Sequence, residues 1–150
     1  LAGRSIRRWV RELERRDIVW RGHESRELST DILDHSDLVL TMEFTQHMRI
    51  LEHWPQATGV FGLRQFAQAV QGEPGGRDIA LSALSATVLP NSLAWDVRDP
   101  YGRGARPAAH CAMELDVLIR QIFGRLLGDP AEPVPTLPAA ETRRHWWNKR

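Results

Sequence analysis

The sequence predicts an α/β domain, and three observations carry that reading. Asp37-Leu38-Val39-Leu40-Thr41-Met42 is a short apolar run bounded by polar residues, the pattern of a strand covered on both faces, as in a parallel sheet with helices over it. Thr58-Gly59-Val60-Phe61-Gly62-Leu63 is a second such run. Between them, from Glu43 to Trp54, Phe44, Met48 and Leu51 recur at helical spacing, so strand, helix and strand follow one another as in a βαβ unit.

Length and composition bound the class. A chain of 150 residues, 42% of them hydrophobic, fits one domain with a core, and nothing approaches the roughly 18 consecutive apolar residues of a membrane span. A formal charge of +1 gives no reason to expect a polyanionic partner, and no base-reading motif accompanies the basic residues, so nucleic acid is not expected. The single cysteine, Cys111, excludes an internal disulfide framework and any multi-cysteine zinc site, which suits a reducing cytoplasm. Lys149 is the only lysine beside many arginines, a composition that fits a GC-rich bacterial genome. The chain starts at Leu1 with no signal region, which reads as a fragment of a longer protein.

Taken in order, Ser5 to Arg16 places Ile6, Trp9, Val10 and Leu13 on one helical face, with Ser5 as cap and a run of arginines against Glu12 and Glu14 on the solvated side. Gly22 to Leu28 is a polar connection that contains His23, Ser25 and Arg26, and Ser29 or Thr30 opens a short helix through Leu33. The first strand and its helix follow. His47 and His53 on that helix are out of phase for a shared metal and read as surface or boundary residues. After the second strand, Arg64 to Val70 is helical, Gly72 to Gly76 is a turn, and Ile79 to Leu93 is a mildly apolar insertion, a helix followed by a loop.

Trp95-Asp96-Val97-Arg98-Asp99-Pro100-Tyr101-Gly102 is the stretch where residues suited to chemistry gather. Pro100 fixes its own φ and biases Asp99 toward an extended backbone, and Tyr101-Gly102 suits a turn that projects the ring. An aspartic acid held beside an aromatic ring can protonate the leaving oxygen of an aromatic ester while the ring stacks on the substrate. Asp-Pro is also a common turn opener, and taken alone the pair is better explained by turn chemistry. A long helix then runs from about Pro107 to Leu127 with Leu115, Leu118, Ile119, Ile122 and Leu126 on one face, and Cys111 shares that phase as a core residue. Pro130, Pro133, Pro135 and Pro138 end regular structure. The chain therefore divides into a domain over 1–128 and an extended or disordered tail over 129–150, whose tip is basic and aromatic.

The order of these motifs resembles the low-molecular-weight protein-tyrosine phosphatases, from about Arg8 to Leu127. The resemblance rests on Gly22-His23-x-Ser25-Arg26-x-Leu28, on Asp37 to Met42, and on Asp96-Val97-x-Asp99-Pro100-Tyr101-Gly102 ahead of the last helix. It implies a flavodoxin-like parallel sheet with flanking helices, with the amino-terminal strands missing. It implies hydrolysis of phosphotyrosine proteins or small aryl phosphates through a cysteinyl-phosphate, with Asp99 as general acid and Tyr101 near the substrate ring. His23 and Ser25 would brace the phosphate loop, and Asp96 the acid loop. No metal or other cofactor is implied, and no oligomeric state.

Members of the family begin with a strand leading into Cys-x5-Arg, and no such motif occurs here, since the residue six after Cys111 is Val117. The chemistry needs a thiolate, a cradle of backbone N–H groups with an arginine, and an acid, and this chain supplies the acid. Two classes of function stay open: the carboxy-terminal part of a phosphatase, inactive by itself, and a non-catalytic phosphatase-like module that binds a protein. Arsenate reductase is a third possibility within the same fold.

Overall fold

In a computed structural model that describes residues 10–19, 21, 24–71 and 93–128, two three-residue strands lie parallel: β1 (Val39–Thr41) and β2 (Val60–Gly62), with Val39 opposite Val60 and Thr41 opposite Gly62. Ahead of them stands the short helix α1 (Thr30–Asp34), and the crossover that parallel neighbours require is the helix α2 (Phe44–His53). The helix α3 (Leu63–Gln71), a 3-10 turn at Leu93–Trp95 and the long helix α4 (Ala105–Leu126) complete a mixed α/β architecture. Residues 1–9, 22–23, the greater part of the 72–94 insertion and the 129–150 tail lie outside the described residues, so the expectations placed on them, His23 included, are not addressed.

Local chemistry sets the helix starts. Ser29 is extended (φ −131°) and its hydroxyl accepts from Ile32 N at 3.3 Å, which fixes the start of α1. Glu43 and Gln46 form a reciprocal capping box at α2. The turn before β2 requires glycine, because Gly59 has φ +73° and a Cβ there would lie 3.0 Å from the Asp37 carbonyl oxygen. Gly59→Ala is therefore expected to cost about 1–2 kcal/mol of unfolding free energy, measured as a lowered urea midpoint at unchanged slope.

The core sits between α3 and α4. Leu63, Phe66, Ala67 and Val70 meet Cys111, Leu118 and Ile122, with Val97 closing one end. Phe66, Val70 and Ile122 are fully buried, and the Phe61 ring tilts against Phe66 at a centroid distance of 5.3 Å. A smaller cluster of Leu33, Ile50 and Val60 joins α1 and α2 to β2.

Four expectations about burial need correction. Phe44 and Met48 are exposed and Ile50 is the buried residue of α2, because two three-residue strands cover only a narrow line of that helix. Within β1 only Thr41 is buried, and Met42 is exposed, since β1 has β2 as its one strand neighbour among the described residues. On α4, Ile119 is 44% exposed while Glu114 and Gln121 are buried. Ile119 lies about 100° around the helix from Leu118, off the face that meets α3. Glu12, read as part of a solvated face, is buried beside Arg15 (2.5 Å) and Arg16 (3.0 Å).

Candidate functional site

The acidic loop is tied to the carboxyl end of β1. Met42 O, one residue past the strand, accepts from Val97 N at 2.8 Å, and Asp96 Oδ1 accepts from Phe44 N, the first residue of α2, at 2.8 Å. Asp96 thus satisfies one of the N–H groups that a helix start leaves without an internal partner.

Val97 and Pro100 turn into the protein, while Arg98 and Asp99 between them are exposed. Asp99 Oδ1 accepts from Tyr101 N at 2.8 Å, so the carboxylate folds over its own turn. The turn closes with Arg103 N donating to Pro100 O at 3.1 Å, and Gly102 takes the positive φ (+72°) that its third position favours. Tyr101 is 59% exposed, and the chain enters α4 three residues after Gly102. Asp96, Asp99 and Tyr101 are therefore brought together on one loop. Ser25 is exposed in the segment before α1, and among the described residues no hydrogen bond joins it to them.

Cys111 lies on the buried side of α4, 5% exposed. Burial pushes its thiol up to about 11, helped by the negative charges of Glu114 and then Asp99 and opposed by Arg64. A thiol in that state is not a nucleophile at neutral pH. The native chain is expected to resist alkylation at Cys111 by iodoacetamide and to leave p-nitrophenyl phosphate unhydrolysed above background; turnover abolished by Cys111→Ser would overturn this. Below the ordinary thiol value of 9.0 Cys111 is protonated folded or unfolded and contributes nothing to pH dependence. Above it the unfolded chain loses the proton first, so the stability difference between wild type and Cys111→Ala should shrink as pH rises from 9 toward about 11.

Two polar contacts between α3 and α4 escaped the sequence reading. The Arg64 side chain of α3 pairs with Glu114 of α4, both largely buried. Gln121 Nε2 donates to Ala67 O at 2.6 Å along the same contact. His47 stacks with Phe44 at 6.4 Å between ring centroids, its Nδ1 is buried with no hydrogen-bond partner, and burial lowers its pKa. Helical phase pointed at Glu114, three residues after Cys111; the ion pair itself spans 50 positions and leaves no local signal.

A cleft of about 200 Å³ lies at the opposite, amino ends of the strands, between Thr30, Asp34, Ser36, Trp54 and Thr58. Trp54 Nε1 donates to Thr30 Oγ1 at 2.9 Å across it. Open α/β domains bind ligands at the carboxyl ends of their strands, and the convergent functional groups are there, so the acidic loop is the better candidate. No group of three or more His, Cys, Asp or Glu among the described residues is arranged to hold a metal, and no helix among them is long and apolar enough to cross a membrane. Comparison of the chain with family models, curated proteins and solved structures gives no match.

Proposed function

We propose that the chain is the acid-bearing portion of a low-molecular-weight protein-tyrosine phosphatase acting on phosphotyrosine or related aryl phosphates. The observation that carries this reading is the double tether of the loop, Asp96 to Phe44 and Val97 to Met42, which holds Asp99 and Tyr101 exposed at the carboxyl end of β1. In the reaction a thiolate attacks phosphorus, the S–P bond forms as the P–O bond breaks, and Asp99 passes its proton to the departing phenolate oxygen. The Tyr101 ring offers a face to the substrate ring. The thiolate and its phosphate cradle are not supplied by Cys111, and no Cys-x5-Arg motif stands in these 150 residues. On this reading β1 and β2 are part of a larger flavodoxin-like sheet.

A second reading, a phosphatase-like chain that binds a protein without turning anything over, is equally compatible with a Cys111 buried in the core. The coding sequence upstream of Leu1 separates the two. An in-frame strand ending in Cys-x5-Arg is expected; a stop codon followed by a start at this position would sink the phosphatase reading and leave the binding module.

A further inference from the structure

We infer that the outward face of α4 is a self-complementary surface on which a second copy of this chain docks antiparallel. The inward face is spoken for by α3, through Cys111, Leu118 and Ile122. On the opposite side of this 22-residue helix Met113 and Phe123 are each 47% exposed, and its C-cap Leu127 is 77% exposed, a stripe of apolar side chains about a charged centre. At about 100° per residue, Ala109, Asp116, Arg120 and Leu127 line the middle of that stripe.

The occupant is indicated by how sizes and charges are arranged about position 118. When two copies of one helix pack antiparallel across a two-fold axis at the height of that position, residues at nearly equal distances, within one residue, on either side of it and on the same flank face each other. Leu127 then meets Ala109, Phe123 meets Ala112 and Met113 meets Gly124, so each large side chain has a small one opposite. Nearest the axis, Asp116 faces Arg120 of the second copy. Within one chain these two already pair at 3.0 Å, with Arg120 72% exposed and able to reach across. A different protein would need none of this internal symmetry; a second copy needs all of it. The helix is about 33 Å long, and a single helical face of that length is at the small end of specific interfaces, so association should be weak, half complete at roughly 10⁻⁵ to 10⁻⁴ M.

Sedimentation equilibrium of the 150-residue chain from micromolar to millimolar concentration is expected to give a monomer–dimer equilibrium that stops at the dimer. Asp116→Arg sets like charges against Arg120 across the axis and should weaken dimerisation at least tenfold, and adding Arg120→Asp should restore it. Each variant's fold is checked by its circular dichroism melting curve. Geometry supplies a second readout. Ile119→Cys lies beside the axis and should be joined to its mate by a short bis-maleimide, whereas Arg106→Cys, with mates roughly 36 Å apart, should not. A monomer at every concentration overturns the proposal, whether the stripe is bare or covered by another segment or protein. So does open-ended association, a dimer indifferent to Asp116→Arg alone, or crosslinking at Arg106→Cys equal to that at Ile119→Cys.

Discussion

Asp99→Asn, placed in a protein that carries the complete cysteine loop, is expected to slow phosphotyrosine hydrolysis by roughly 10²- to 10⁴-fold, the usual worth of a positioned general acid. The phenol that leaves has a pKa of about 10, so its unassisted departure at neutral pH is costly. Asp96→Asn should cost less, because its carboxylate is engaged with Phe44 N and acts on the loop rather than on the leaving group. The two roles separate on a series of aryl phosphates. As the leaving phenol becomes more acidic the Asp99→Asn defect should shrink toward nothing, while the Asp96→Asn defect should stay nearly constant. A loss for Asp99→Asn that ignores leaving-group acidity would remove Asp99 from the role of acid.

The largest stability effect is expected from breaking the ion pair between α3 and α4. Arg64 and Glu114 have side chains only 13% and 5% exposed, and Gln121 continues the polar seam to Ala67 O. Glu114→Ala leaves a guanidinium buried without that carboxylate, a situation that costs about 3–5 kcal/mol. Since a domain of this size has roughly 5–15 kcal/mol in total, the variant should be close to unfolded at room temperature in modest urea. Replacing both partners, Arg64→Met with Glu114→Leu, removes the charges together and should recover most of the loss. Equal urea midpoints for the Glu114→Ala chain and wild type would show that the pair contributes nothing.

The elements whose evidence is local were legible in the sequence. Ser29 as cap, the crossover helix between two apolar runs and the long last helix all follow from spacing and from residues that start or stop regular structure. Burial was less legible, because it depends on what lies opposite. Phe44, Met48 and Ile119 have the right period for a core, but the narrow sheet and the line of contact with α3 leave them outside. Glu114 and Gln121 are polar residues in a core stripe, admitted because Arg64 and the Ala67 carbonyl meet them from another helix. At the site, the turn at Asp99-Pro100-Tyr101-Gly102 was legible from its residues, whereas the bond from Phe44 N to Asp96, distant in sequence, was not.

That distance has a kinetic consequence. The bond between Phe44 and Asp96 joins residues 52 positions apart, while β1 and β2 pair across a much shorter crossover. Closing a longer stretch of chain costs more entropy before any contact repays it, so the strand pair should assemble first and the acidic loop dock late. What forms late also tends to open early. The bonds at Asp96 and Val97 and the buried Val97 and Pro100 side chains anchor the loop, and its release leaves most of the contact between α3 and α4 in place. Warming or mild denaturant should then release the Asp99 loop while the rest stays folded, so that, on the phosphatase reading, inactivation of the complete protein runs ahead of unfolding and reports on the loop alone.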